Sequence, residues 1–131
     1  MKFVYLTRED ILEIHRKVIR ESGGNSVVVF PGNLDMCVES PKLEMYGLGI
    51  HKTVYEKAAS LLYAILKLHP FLDGNKRTGF MATDVFLRLN GHIIAVDKVD
   101  AVQTCLKIAE CSMEMDETST WVKSRVKRNW G

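Results

Sequence analysis

Apolar residues recur every three or four positions along much of this chain, the spacing of helices that turn one face inward. Ile11, Leu12, Ile14, Val18 and Ile19 make the first such run. Thr7 stands before it as an N-cap, Glu9 and Asp10 occupy the turn where the helix dipole favours acids, and Gly23 with Gly24 ends it. His15 lies inside this helix and reads as a structural or solvated histidine. From Gly23 to Gly49 glycines and prolines break the pattern: Val27–Phe30 fits either a strand fragment or a buried loop, and Leu34–Val38 fits a short helix behind Asn33. Periodicity resumes at Thr53, where Thr53 and Glu56 have the form of a capping box, and Ala58, Ala59, Leu61, Leu62, Ile65 and Leu66 predict a central, mostly buried helix ending at Leu68.

Asn75 can cap a further helix that turns Thr78, Met81, Ala82, Val85, Phe86 and Leu89 inward and exits at Asn90 and Gly91. A short strand-like run over Ile93–Val96 follows. Asp97 then caps a fifth helix, and Thr118 or Ser119 a last one through Trp121, Val122 and Val126. The predicted fold is all-α: five or six helices around one core, with at most a minor β-hairpin, in a single domain over 1–131.

Composition narrows the function classes. The 131 residues suit one domain, and 18 basic against 16 acidic residues leave a net charge of +2, too little for a protein that coats nucleic acid. No apolar run approaches the length of a membrane helix, and the N-terminal run is too short for a secretory signal. Three cysteines, Cys37, Cys105 and Cys111, without a CxxC pair or metal-ligand spacing, predict reduced thiols in a cytoplasmic protein.

The candidate chemistry sits between the two central helices, in His69, Pro70, Phe71, Leu72, Asp73, Gly74, Asn75, Lys76 and Arg77. A Gly-Asn turn leading into a helix aims free N–H groups outward, and the dipole favours an anion there by about 0.3–1 kcal/mol. That does not hold a nucleotide unaided. Lys76 and Arg77 oppose the dipole in the first turn, so their placement makes sense around a phosphate: Arg77 as a bidentate fork, Lys76 as a compact charge. Asp73 suits a Mg²⁺ bridging phosphate oxygens, and His69 is the group whose ordinary pKa makes it a general base. Catalytic roles therefore fall to His69, Asp73 and Arg77, phosphate binding to Gly74, Asn75, Lys76 and Arg77, and the metal to Asp73. The bland reading is a charged loop with a fortuitous histidine.

The segment resembles the signature of the Fic/Doc family, His-Pro-Phe-x-(Asp/Glu)-Gly-Asn-x-Arg, met by His69, Pro70, Phe71, Asp73, Gly74, Asn75 and Arg77. The run Asn75, Lys76, Arg77, Thr78 is closest to the Doc (death-on-curing) branch. Gly23 with Gly24, Pro31-Gly32, Glu56–Ala59 and Val85–Gly91 are also similar to Doc-like chains. Pro70 and Gly74 instead follow the general Fic form, so both patterns mix here. The resemblance implies a helical Fic fold and transfer of a phosphorus-containing group from ATP, with Mg²⁺, to a protein hydroxyl. In the Doc branch that is phosphoryl transfer to elongation factor Tu, which blocks translation; in most Fic proteins it is AMP transfer. Lys76 discriminates, because its side chain crowds an outer-phosphate pocket that glycine leaves open. A catalytically silent antitoxin-binding module is the reading from another class.

The resemblance also implies regulation in trans by a Phd-like antitoxin that lays a helix into a groove, with nucleic acid engaged only through that complex. An inhibitory helix within the chain is not expected, since Ser40, Pro41 and Glu44 match such a helix only loosely. Pro41–Gly49 is the candidate flap for a target segment. His51 and His92 read as structural or solvated, and Lys123, Arg125, Lys127 and Arg128 as a solvated basic end or a contact for an acidic partner or DNA.

Overall fold

A computed structural model describes residues 2–45 and 48–128, residue 48 by its backbone alone. Six α-helices stand among the described residues: α1 (Arg8–Ser22), α2 (Pro31–Glu39), α3 (Val54–Leu68), α4 (Asn75–Leu89), α5 (Lys98–Ala109) and α6 (Met115–Arg125). Two small ribbons accompany them, β1 (Glu44–Met45) with β2 (Leu48–Gly49), and β3 (His92–Ile94) with β4 (Val126–Arg128), both antiparallel. The mostly helical, Fic-like architecture expected from the sequence is what forms. No helix of the described residues is long and apolar enough to cross a membrane.

α3 is the axis of the packing. Its Ala58, Ala59, Leu61, Leu62, Ile65 and Leu66 are buried, and α2, α4, α5 and α6 pack around it. Small alanines let helices approach closely, while Phe86 of α4, Ile108 of α5 and Val122 of α6 fill the space between them. Thr7 and Thr53 both form capping boxes, with Asp10 and Glu56 respectively. Lys57 is buried as well. Its ammonium donates to the Pro41 carbonyl at 3.0 Å and lies over the rings of Phe3 and Tyr5, which fastens the turn before β1 to α3.

Four boundaries differ from the expectation. α2 begins at Pro31, where the fixed φ of proline suits a first helical position, and the Asn33 amide instead donates to the Leu68 carbonyl at 2.7 Å. α4 is capped by Gly74 in a left-handed conformation (φ 80, ψ 17), with Asn75 already its first helical residue. α6 starts four residues early, behind Glu114, whose N–H donates to the Glu117 carboxylate at 3.1 Å. Val126 is extended rather than helical, because Val126–Arg128 pairs with β3, which starts one residue and ends two residues before the expected Ile93–Val96. The stretch Ser40–Glu44 forms a 3-10 turn entering β1, not an inhibitory helix.

Candidate active site

α3 ends at Leu68, and His69 caps it in a left-handed conformation (φ 45, ψ 60) that turns the chain away from the helix axis. Pro70 cannot continue the helix, and its carbonyl accepts from the N–H groups of Val29 and Phe30 at 2.9 and 3.1 Å. The Leu72 N–H donates to the Val27 carbonyl at 3.1 Å, which sets Val28 opposite Phe71 in a single antiparallel bridge. The 27–30 run is thus a strand fragment, and it buttresses the loop carrying the candidate chemistry.

Phe71 is the anchor of that loop and is buried. On its other side the Asn75 amide takes the place of a neighbouring strand. Asn75 Oδ1 accepts from the Phe71 N–H at 3.1 Å, and Nδ2 donates to the Phe71 carbonyl at 2.8 Å. Nδ2 also lies 3.4 Å from His69 Nδ1. His69 Nε2 bonds no described residue, and the ring is exposed.

Asp73 is held at both ends. Its Oδ2 accepts from the Asn25 N–H at 2.7 Å, and its carbonyl takes a bond from His15 Nε2 at 2.8 Å. Gly24, at φ 109, lets the chain pass so close that a Cβ there would stand 3.1 Å from Asp73 Cβ. Gly74 needs its own lack of a side chain twice: its φ is 80, and a Cβ would meet Ile19 Cδ1 and Val18 Cγ1 at 3.3 Å. The free N–H groups of α4 open beside it, with Lys76 and Arg77 in the first turn, both exposed and without an ion pair among the described residues.

His69, Asp73, Gly74, Asn75, Lys76 and Arg77 thus line one open depression of about 360 Å³, so every residue singled out by the sequence comes together. Lys76 and Arg77 also border a more apolar groove of about 450 Å³, walled by Phe80, Met81, Val96 and Val102. Asn75 differs from expectation in what its side chain does: it binds the loop, while its backbone N–H bonds no described residue. The described residues contain no cluster of three or more His, Cys, Asp or Glu side chains able to hold a metal ion by themselves. A lone carboxylate is the donor set of a Mg²⁺ that arrives with a nucleotide, taking most of its ligands from phosphates and water.

Sequence reasoning missed His15, Gly24 and Asn25 as parts of this site. For His15 a signal existed: Ile11, His15 and Val18 share the buried face of α1. Elsewhere His92 Nδ1 contacts the Asn90 carbonyl at 2.8 Å, a structural role as expected. Of the basic C-terminal residues, Arg125 pairs with Asp100 at 2.8 Å and lies over Trp121. All three cysteines are free; burial pushes the thiols of Cys37 and Cys105 up to about 12 and about 11.

A family model described as "Fic/DOC family" matches residues 5–87. "Toxin Doc" of Mycolicibacterium smegmatis is 32% identical over 114 residues, covering 84% of this chain and 85% of that protein. Two proteins named "Protein adenylyltransferase Fic", from Drosophila mojavensis and Drosophila willistoni, are 31% and 33% identical over 68% and 66% of this chain. The chain spans only about a fifth of their lengths, 21% and 20%.

Proposed function

The chain belongs to the Fic/Doc family, and from that premise we propose that it is a toxin-type transferase moving the γ-phosphoryl group of ATP to a hydroxyl side chain of a target protein. The observation that carries a phosphoryl-type transfer is the convergence of His69, Asp73 and Arg77 on one depression at the start of α4. Lys76 supports the kinase direction, since it borders both the depression and the apolar groove and stands where glycine would leave space. So does the match to a toxin of nearly this length.

In this reading His69 takes the proton of the target hydroxyl as its oxygen bonds to the γ-phosphorus. The bond from that phosphorus to the β–γ bridging oxygen breaks, and ADP leaves with the electron pair. Arg77 and the open N–H groups of α4 neutralise charge gathering on the phosphoryl oxygens, so catalysis is positioning and electrostatics. Asp73 would hold Mg²⁺, which would supply neutralisation of the phosphate charge. The target is elongation factor Tu and the consequence a block in translation. A Phd-like antitoxin is the partner that restrains the toxin. The ribbon of β1 and β2 aligns the target by strand pairing.

AMP transfer is the second reading, favoured by Pro70 and Gly74 in the general Fic form and by the two adenylyltransferase matches. The α-phosphorus is then attacked and pyrophosphate leaves. Incubation with elongation factor Tu and ATP labelled at either phosphate decides. Transfer of γ-label, reduced about 10²–10⁴-fold in His69→Ala, is the expected result. Transfer of α-label establishes AMP transfer instead, and transfer of neither label overturns both in favour of a silent antitoxin-binding module.

A further inference from the structure

We propose that His15 is a positioning residue for this site: it locks the peptide between Asp73 and Gly74 so that the Gly74 N–H faces the phosphate depression. The inference rests on the transfer reaction proposed above.

His15 is 1% exposed, deep on the inner face of α1. An imidazole buried only to fill space would be a poor choice beside Ile11 and Val18, because its polar nitrogens are costly to desolvate. Two contacts account for it. The ring stacks on Phe71 at 3.7 Å between centroids and 8° between planes, and Nε2 bonds the Asp73 carbonyl at 2.8 Å. The stack fixes the ring plane, and the bond fixes where the carbonyl points. The nitrogen must donate, since a carbonyl only accepts.

A trans peptide is planar, so its C=O and N–H point in opposite directions. With the Asp73 carbonyl turned towards α1, the Gly74 N–H is turned away from α1. Gly74 lines the depression, and its N–H bonds no described residue. This N–H therefore joins the free N–H groups of α4 as an anion donor. The alternative is a flip of the same peptide, which would turn a carbonyl oxygen towards the phosphates. Flips of this kind need a residue after the peptide that tolerates either sign of φ, and Gly74, at φ 80, is such a residue. Glycine is required here by the approach of Val18 and Ile19, so the flip is available unless something holds it. His15 is what holds it. The Asn25 bond restrains only the Asp73 side chain and leaves the peptide free to turn.

Two variants separate this role from packing. His15→Phe keeps a ring on Phe71 and removes the donor. His15→Gln removes the ring and keeps a donor at about the reach of Nε2. The readouts are MgATP affinity by calorimetry and the ¹⁵N–¹H resonance of Gly74 in the nucleotide-free protein. His15→Phe is expected to fold, to move the Gly74 resonance and to bind MgATP about tenfold more weakly, the size of one lost hydrogen bond. His15→Gln is expected to stay within about twofold of the original affinity despite a lower melting temperature. Full affinity and an unmoved Gly74 resonance in His15→Phe overturn the proposal, as does a loss in His15→Gln equal to that in His15→Phe. Should His15→Phe fail to fold, His15→Gln decides alone by the same twofold criterion. A wild-type chain that binds no MgATP defeats the transfer reading, while the Gly74 resonance still reports whether His15 orients the peptide.

Discussion

The loop from His69 to Arg77 follows α3, the ribbon of β1 and β2 precedes it, and the two are built in opposite ways. In the loop both outward groups of Phe71 are bonded by Asn75, the Pro70 carbonyl takes two N–H groups, and Asp73 is held through its side chain and its carbonyl. The ribbon has two residues per strand, exposed Leu43, Met45 and Ile50 in and around it, and, among the described residues, one further backbone bond, from the Ile50 N–H to the Leu43 carbonyl at 3.0 Å. A two-stranded hairpin this short has little stability of its own. The difference separates two requirements. On the proposed function, reacting groups must be held to fractions of an ångström, whereas a surface that receives another protein gains from being able to adapt.

Breaking the rigid half has the largest expected effect. Phe71→Ala removes the ring beneath the loop and the stack with His15, and is expected to lower the unfolding free energy by about 3–5 kcal/mol, read from urea denaturation. A loss near 1 kcal/mol or less would mean that the loop is not anchored by its aromatic side chain.

Breaking the adaptable half is expected to cost function and not stability. Replacement of residues 44–49 by a glycine–serine linker should change the unfolding free energy by less than about 0.5 kcal/mol. It should leave MgATP affinity unchanged and raise KM for the protein target about tenfold. An equal loss of nucleotide binding would show that the ribbon belongs to the phosphate site, and the contrast would fail.

The smallest expected effect sharpens the boundary between the two halves. His51 lies between the ribbon and α3, and burial lowers its pKa from 6.5, against the opposing pull of Glu56. The unfolded chain then binds a proton that the folded chain resists. The stability carried by neutral His51 is whole above pH 6.5 and is lost as pH falls from there towards the folded value. His51→Gln should flatten part of the decline in urea midpoint between pH 7.5 and about 5.5, and an unchanged slope would place His51 outside the packed region.

What was legible in the sequence was what is local. Thr7 and Thr53 cap their helices through residues three positions on, and the seven signature residues run from the cap of α3 into the first turn of α4. Their nearness follows from the chain itself, while the orientation of Asp73 depends on distant partners. The illegible features are pairings across the chain. Val126–Arg128 becomes a strand because β3 offers it an edge, and nothing in its own residues forbids the helix from continuing. His15 looked like any inward histidine because its partner is 58 positions away, and Asn25 meets Asp73 across 48. Asn75 reads as a cap by its type, yet its amide is occupied by Phe71, four residues back.

These separations also have a kinetic consequence. Helices form from neighbours, but the bonds that shape the reacting loop close long stretches of chain, and such closures are entropically costly until much of the core has gathered. α1 and the residues after it must dock before Asp73 acquires its orientation. Refolding followed by pulsed hydrogen exchange should therefore protect the interior amides of α3 ahead of those of Val29 and Leu72. A nascent or half-folded chain carries the whole signature, His69 to Arg77, and has no site.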